Sequence, residues 1–168
     1  MTRILGIDPG SVITGLGFID AGVSRTNHVY HETIRVGKGP FPQRLRIIFE
    51  RVAAAIHEYQ PEEVAIESVF VSKNPDSALK LGQARGAAIC AAVSMNLPIS
   101  EYAPRQVKKS VVGRGAADKT QVQHMVAILL NIDKNIQSDA ADALGVALTH
   151  AHHRQTAERL GTAIGAWR

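Results

Sequence analysis

The sequence predicts a mixed α/β fold in which one sheet is covered by helices. Two observations support this: short apolar runs ending in turn residues predict strands, and longer segments with apolar residues three and four apart predict helices. Along the chain these segments follow the order hairpin strands, helix, strand, helix, strand, helices. The 168 residues contain neither a repeat nor a long linker, so we expect a single domain over residues 1–160 and a frayed tail over residues 161–168.

Composition and charge place the chain among ordinary globular proteins. Hydrophobic residues make up 45% and charged residues 20% of it, without the bias of disordered or fibrous chains. The net charge of +4 is weak evidence for a polyanionic partner. The one cysteine, Cys90, lies in an apolar run, so we expect a buried thiol and no disulfide within the chain. With neither a secretory leader nor an apolar stretch of ~18 residues, we expect a cytoplasmic protein that does not enter a membrane.

The first strand ends on a carboxylate. Residues 4–7 form the short apolar run of a central strand, and Asp8 follows it. Pro9 lacks an amide donor and Gly10 allows a tight reversal, so the backbone turns directly after the acid. Residues 14–20 then form the returning strand of a hairpin. By itself this pattern leaves two alternatives open, because Asp8 is either an ordinary turn-initiating residue or a ligand held beside a glycine-rich turn.

The later elements follow from composition, periodicity and capping signals. Beyond the hairpin, β-branched and apolar segments predict strands at residues 28–36, 64–67 and 98–102. Helices are predicted at residues 43–59, from a cap at Asn74 through the Ala- and Gly-rich segment after it, at residues 103–112, from a cap at Asp118 to Leu130, and from a cap at Ser138 onward. The Ala- and Gly-rich helix packs either against the sheet or against a second copy of itself.

Four carboxylates are candidates for one site. Asp8 and Glu67 each end a strand of the buried type, where an unpaired acid is costly. Asp139 and Asp142 lie three apart near the start of the last helix and therefore share a face. On their own, these two are better explained as exposed acids that favour the helix dipole. If the two strands are neighbours, all four acids can meet at one edge of the sheet.

The ligand chemistry favours a hard divalent cation. Carboxylates without a thiolate or a tight histidine motif favour Mg²⁺ or Mn²⁺ over zinc. Two such ions about 4 Å apart activate a water and stabilise the leaving oxygen of a phosphodiester. Acids that hold metal, surrounded by Lys and Arg that hold a backbone, are the charge pattern of a nuclease. His150, His152 and His153 lie at the far end of the last helix, where we expect solvated side chains rather than a metal site.

Six motifs occur in order along nearly the whole chain, from Arg3 to about His150. They are GIDPGSVITG, AIESVF, SKNPDSALKLGQARG, PRQVKKSVVG, DKTQVQHMV and DAADALGVALTH. Together they resemble the RuvC-type Holliday junction resolvases, also called crossover junction endodeoxyribonucleases. The resemblance implies a ribonuclease H-like fold, with a mixed five-stranded sheet flanked by helices. It also implies a metal-dependent endonuclease of DNA recombination and repair, which resolves four-way junctions by paired, symmetric cuts that leave 5′-phosphate and 3′-hydroxyl ends.

The resemblance also implies roles for individual residues. The catalytic metal ligands would be Asp8, Glu67, Asp139 and Asp142, holding two Mg²⁺ ions that Mn²⁺ can replace. Lys119 would be catalytic or phosphate-binding, and the expected DNA contacts are Phe70, Lys73, Arg85, Lys108, Lys109 and Lys119. From the residues alone, Lys108 and Lys119 are equally well solvated charges, and Phe70 is equally well a core residue. Val12 and Ser68 depart from the family pattern, which leaves a local contact open but not the metal site.

For partners, the resemblance implies four-way junction DNA, a homodimer whose two-fold axis matches the symmetry of the junction, and the RuvA and RuvB branch-migration proteins. Two other functions start from the same residues. An actin-like or sugar-kinase-like ATPase also opens with a strand, a phosphate-cradling turn and a returning strand, but 168 residues are too few for two such domains. A non-catalytic DNA-binding module is disfavoured because four retained acids would weaken DNA binding.

Overall fold

A five-stranded mixed sheet forms the centre of the computed structural model, which describes residues 1–68, 74–133 and 135–162. The strands are β1 (Thr2–Asp8), β2 (Ile13–Ala21), β3 (Thr26–Arg35), β4 (Glu63–Glu67) and β5 (Ile99–Tyr102). Their order across the sheet is β3-β2-β1-β4-β5. The first three strands pair antiparallel, whereas β1, β4 and β5 run parallel. The predicted mixed five-stranded sheet is therefore confirmed.

Helices cover both faces of this sheet. They are α1 (Phe41–Tyr59), α2 (Pro75–Val93), α3 (Pro104–Val112), α4 (Lys119–Leu130) and α5 (Ser138–Leu160). One apolar core joins the sheet to α1 and α2, and a second joins the opposite face to α3, α4 and α5. Alternation along β1 divides its side chains between the two cores, with Leu5 and Ile7 in the first and Ile4 in the second. Within the described ranges, no helix is long and apolar enough to cross a membrane.

Two of the three predicted caps are confirmed. The Asn74 side chain accepts hydrogen bonds from the amides of Asp76 and Ser77 at the start of α2. Asp118 and Gln121 form the predicted capping box at the start of α4. The prediction for Ser138 is wrong, because Gln137 occupies the cap position and Ser138 is the first helical residue. The hydroxyl of Ser138 instead accepts a hydrogen bond from Gln123 of α4, at 2.8 Å, so it joins two helices.

Burial differs from expectation at two residues of the helices. Cys90 is exposed, because α2 packs through a row of buried alanines on its other side, Ala84, Ala88, Ala91 and Ala92. His150 is 2% exposed, whereas solvated side chains were predicted for all three histidines of α5. The prediction missed this because α5 is continuously buried from Ala143 through Ala151 and runs beneath the sheet at the position of His150. His153 is exposed, as expected, and His152 is half-buried.

The buried His150 is satisfied by neighbours from the sheet. Its Nδ1 lies 2.8 Å from the hydroxyl of Tyr102, and its Nε2 lies 2.6 Å from a carboxylate oxygen of Glu63. Arg154 also reaches Glu63, at 3.0 Å. Burial lowers the pKa of His150, although the Glu63 carboxylate opposes that shift. This network ties α5 to Glu63 at the start of β4 and to Tyr102 at the end of β5.

Three glycines on β1 and β2 allow α5 to lie directly against the sheet, and we call them the glycine seam: Gly6, Gly15 and Gly17. A Cβ atom at Gly15 would lie 1.9 Å from the backbone oxygen of Asp139, and one at Gly6 would lie 2.0 Å from that of Ala143. At Gly17 the nearest atom would be the Leu144 side chain, at 2.7 Å. No side chain fits between the strands and the helix at these positions. The glycine seam therefore sets the distance of α5 from the sheet.

Replacing Gly15 by alanine tests this packing. The added methyl group overlaps the Asp139 carbonyl, so the start of α5 must move, and we expect Gly15→Ala to lower the free energy of unfolding by about 1–3 kcal/mol. Chemical denaturation followed by circular dichroism measures the change. Gly39→Ala is the matched control, because its Cβ would meet only a side-chain oxygen at 3.7 Å. Equal stability of the two variants would show that α5 is not held at contact distance by the glycine seam.

Candidate active site

Two carboxylates emerge side by side where neighbouring parallel strands end. Ile7 of β1 pairs with Ile66 of β4, and the next residues along the two strands are Asp8 and Glu67. Because side chains alternate along a strand, Asp8 lies on the same face as Gly6, which contacts α5. By the same alternation Glu67 lies on that face too, two residues after Ala65 of the α5 core. Both acids are half-buried.

The first turn of α5 brings two further acids to this edge of the sheet. Asp8 pairs across the sheet with Gly15, and the backbone of Asp139 lies directly against Gly15. Asp142 follows one helical turn later on the same face of α5. Both aspartates are half-buried rather than fully exposed. Acids that serve only the helix dipole would face water, so their placement favours the alternative of a shared site.

The four acids form one electrostatic cluster. The pKa of Asp8 is raised to about 8, first by burial and then by the charges of Glu67, Asp142 and Asp139, against the opposing charge of Lys119. The pKa of Glu67 is raised to about 7, first by burial and then by the charge of Asp142. Asp8, Glu67 and Asp142 are thus each destabilised by the negative charge of a neighbouring acid. The convergence predicted from the sequence is present in the structure.

Lys119 supplies the nearest positive charge. Its Nζ atom lies 2.6 Å from a carboxylate oxygen of Asp142, and its side chain remains 60% exposed. Burial lowers the pKa of Lys119, but the hydrogen bond and the charge of Asp142 outweigh that effect and raise it. Burial raises the pKa of Asp142 even with Lys119 as its partner. One lysine therefore does not neutralise the cluster, and excess negative charge remains.

The donor set fits a hard divalent cation. All four candidate ligands offer carboxylate oxygens, which Mg²⁺ and Mn²⁺ prefer. The pKa values of Asp8 and Glu67 are raised first by burial and then by neighbouring negative charge, which a cation would balance. Among residues 1–68, 74–133 and 135–162, no three His, Cys, Asp or Glu side chains are already gathered into a metal cage. Mg²⁺ is usually held by one or two protein carboxylates, and water and phosphate complete its coordination.

The turn after Asp8 is held by contacts that sequence reasoning missed. The Thr14 hydroxyl donates to the Gly10 carbonyl at 2.9 Å and accepts from the Gly10 amide at 3.2 Å. Arg44 of α1 donates to the backbone oxygen of Ser11. A threonine at the start of a returning strand is a signal for such a turn bond. No sequence signal identifies Arg44, because its contact depends on how α1 packs beneath the hairpin.

Apart from Lys119, the expected DNA contacts fall into three groups. Lys108 is half-buried on α3, and its charge opposes the raised pKa of Glu67, which places it beside the acids. Lys109 is exposed on the same helix. Arg85 is only 15% exposed and forms an ion pair with Glu101 at 2.8 Å. The remaining two, Phe70 and Lys73, lie outside the described residues.

The raised pKa of Asp8 predicts a pH-dependent gain in stability when its charge is removed. The ordinary pKa of Asp is about 3.9, so between pH ~4 and ~8 the folded state holds a proton that the unfolded state releases. Folding is therefore destabilised progressively as pH rises through this window. In EDTA, we expect the melting temperature of Asp8→Asn to exceed that of the wild type by several degrees more at pH 9 than at pH 5.

Glu50→Gln provides the control for this measurement, because Glu50 lies on the exposed face of α1 with its side chain 64% exposed. Its melting temperature should follow that of the wild type at both pH values. A constant difference between Asp8→Asn and the wild type from pH 5 to pH 9 would contradict the raised pKa of Asp8.

Comparison with known proteins gives the family context of this site. The family described as crossover junction endodeoxyribonuclease RuvC matches residues 4–150. A protein of that name from Stenotrophomonas maltophilia is 57% identical over 170 residues, covering 99% of this chain and 98% of its own. Another from Xylella fastidiosa strain 9a5c is 59% identical over 172 residues, covering 99% and 98%. The structure is similar to that of Thermus thermophilus RuvC in complex with a Holliday junction substrate, with a TM-score of 0.87, 34% identity and coverage of 99% and 100%.

Proposed function

The chain belongs to the RuvC family of crossover junction endodeoxyribonucleases, and from this premise we propose that it resolves four-way (Holliday) DNA junctions by paired, symmetric hydrolysis of phosphodiester bonds. The close match to a RuvC structure confirms the expected ribonuclease H-like fold. One observation carries the proposal: Asp8, Glu67, Asp139 and Asp142 converge at one edge of the sheet. This function belongs to DNA recombination and repair.

The four acids have the role of holding a divalent cation in this proposal. The family implies a divalent metal, and for this chain we propose two Mg²⁺ ions, which Mn²⁺ can replace. Held by these acids, the metal would activate a water for attack on the phosphorus and would stabilise charge on the 3′ oxygen as its bond to phosphorus breaks, which leaves 5′-phosphate and 3′-hydroxyl ends. The fold positions the four acids: β1 and β4 hold two of them, and α5, packed against the glycine seam, holds the other two.

The lysines complement the acids at the site edge. Lys119 balances part of the charge on Asp142 and is exposed enough to reach a phosphate of the bound strand. Lys108 and Lys109 lie on α3, where they add positive charge for the DNA backbone. We also retain Phe70 and Lys73 as proposed DNA contacts by resemblance.

We propose a homodimer that cuts two like strands of one junction. A four-way junction has approximate two-fold symmetry, so a two-fold dimer can place one active site on each strand. The exposed side of α2 is the candidate for part of the contact, since Leu79 is 68% and Val93 is 56% exposed there. By resemblance we add RuvA and RuvB as partners. We also propose a cytoplasmic location and a single nuclease domain over residues 1–160.

The central experiment offers the purified protein a synthetic four-way junction, a linear duplex and ATP, each with and without Mg²⁺. We expect symmetric, ligatable nicks in the junction alone and only with Mg²⁺. Asp8→Asn should abolish this cleavage while junction binding in a gel-shift assay is retained, because the acid holds metal rather than DNA. The measurements are cleavage rate on a denaturing gel and the junction dissociation constant at one fixed salt concentration.

Glu50→Gln, on the far face of α1, is the charge-matched control and should cleave as the wild type does. ATP hydrolysis without nicking would replace the proposed function by the ATPase alternative. Cleavage that persists in Asp8→Asn, or junction binding that disappears with it, would remove Asp8 from the metal site.

A further inference from the structure

Arg85 of α2 contacts the end of β4 from the face of the sheet opposite α5. Its guanidinium forms an ion pair with Glu101 of β5, at 2.8 Å between Nη2 and a carboxylate oxygen. Its Nε donates to the backbone carbonyl of Glu67, at 3.3 Å. One side chain of α2 therefore connects two neighbouring strands where one of them ends in a candidate metal ligand.

The surroundings of Arg85 fix where its guanidinium lies. Ala84 and Ala88, on either side of it in α2, are fully buried against the sheet. Glu101 pairs in register with Ile66, the residue before Glu67. Glu101 and Glu67 therefore lie at the same end of the sheet. The side chains of Arg85 and Glu101 are 15% and 26% exposed, which removes most of the water around the pair. Such a pair is held by protein contacts and is poorly placed to reach outward to a DNA backbone.

The contact with Glu67 matters because the strand ends there. After Glu67 the only strand-like bond in the described part of the chain is the amide of Ser68 donating to the Tyr102 carbonyl, at 2.9 Å. The Arg85 bond restrains the carbonyl of the preceding residue, Glu67 itself, through a charged donor. A metal ligand must be held within about 0.5 Å of its working position. A restraint on the Glu67 backbone is thus a restraint on its carboxylate.

We propose that Arg85 is a positioning residue that, anchored by Glu101, fixes Glu67 for binding of a divalent cation. The proposal rests on the proposed function in taking Glu67 as a metal ligand. Arg85 then supports the active site instead of lying on the DNA surface, where the family resemblance placed it. Glu101, which the sequence did not single out, becomes part of the same support.

The two possible roles of Arg85 predict different effects of Glu101→Gln on metal binding. If Arg85 positions Glu67, loss of its anchor weakens metal binding and leaves junction binding unchanged. If Arg85 contacts DNA, loss of the carboxylate frees a positive charge and leaves or strengthens junction binding, with metal binding unaffected. Arg85→Lys should weaken metal binding to an intermediate degree. Its single ammonium group can pair with Glu101 but does not reproduce the second, directed hydrogen bond to the Glu67 carbonyl.

The experiment measures Mn²⁺ binding by electron paramagnetic resonance in the absence of DNA, with junction affinity measured separately in EDTA. We expect Arg85→Met and Glu101→Gln each to weaken Mn²⁺ binding by about tenfold or more, with Arg85→Lys intermediate. Junction affinity should stay within about twofold of the wild type, and its salt dependence should be unchanged, because no phosphate contact is lost. The cleavage rate constant should fall with metal affinity while the concentration of junction needed for half-maximal rate stays constant.

Arg3→Met is the matched control for the loss of an arginine. Arg3 also pairs with a carboxylate, Asp20, at 2.8 Å and donates to a backbone carbonyl, that of Tyr59, at 2.9 Å, but it lies at the other end of β1. We expect it to lose stability and to bind Mn²⁺ as the wild type does. The double variant Arg85→Met/Glu101→Leu removes both charges, so that no unpaired charge is left buried to unfold the protein. Circular dichroism confirms that each variant is folded.

Wild-type Mn²⁺ affinity in the folded double variant would overturn the proposal. So would a loss of junction binding in Arg85→Met with a salt slope reduced by about one, since that is the signature of a lost phosphate contact. A wild type that binds Mn²⁺ but does not nick junctions would end the proposed function, while the variants would still decide the role of Arg85. A wild type that binds no Mn²⁺ would overturn both.

Discussion

The contact between the backbone of α5 and the glycine seam is the constraint on which the rest of the structure depends. Side chains at Gly6, Gly15 or Gly17 would occupy the space that the helix backbone fills. Because the helix lies so close, its first turn reaches the same edge of the sheet as the carboxyl ends of β1 and β4. The position of two of the four acids thus follows from the absence of three side chains. An ordinary helix-to-sheet spacing would leave Asp139 and Asp142 away from Asp8 and Glu67.

The short distances between the four acids also destabilise the folded protein when no cation is bound. Burial and mutual repulsion raise the pKa of Asp8 to about 8 and that of Glu67 to about 7, and one lysine offsets only part of the charge. The fold therefore has to hold the acids in place through rigid supports: the Thr14-bonded turn after Asp8, the Arg85–Glu101 pair behind Glu67, and the seam beneath Asp139. A site whose carboxylates repel one another, and whose positions are fixed by neighbouring contacts, is suited to binding a cation.

Much of this arrangement is predictable from the sequence because it depends on local patterns. Apolar runs that stop at Asp8 and Glu67 predict buried strands ending in acids, and the caps at Asn74 and Asp118 follow from residue chemistry within one turn. The ordered motifs predict the family and, with it, the ribonuclease H-like fold. The parallel pairing of β1 with β4, which brings the first two acids together, is the simplest arrangement of such strands.

The features that sequence reasoning missed all depend on which side of an element packs inward. The burial of His150 and the exposure of Cys90 are decided by the rotation of α5 and α2 against the sheet, and small or mixed residues do not reveal that rotation. Ser138 has the chemistry of a cap but is used to bind Gln123. Arg85 carries a charge typical of DNA contacts, and only the packing of α2 turns it towards Glu101. Long-range contacts of this kind have no local signal.

A crystal structure of the protein grown with Mn²⁺, with anomalous diffraction used to locate the metal, tests the arrangement of the four acids most directly. We expect anomalous density among Asp8, Glu67, Asp139 and Asp142, with α5 at its present contact distance from the glycine seam and Lys119 displaced from Asp142 by the bound cation. Mn²⁺ absent from this edge of the sheet, or bound elsewhere on the molecule, would contradict this expectation.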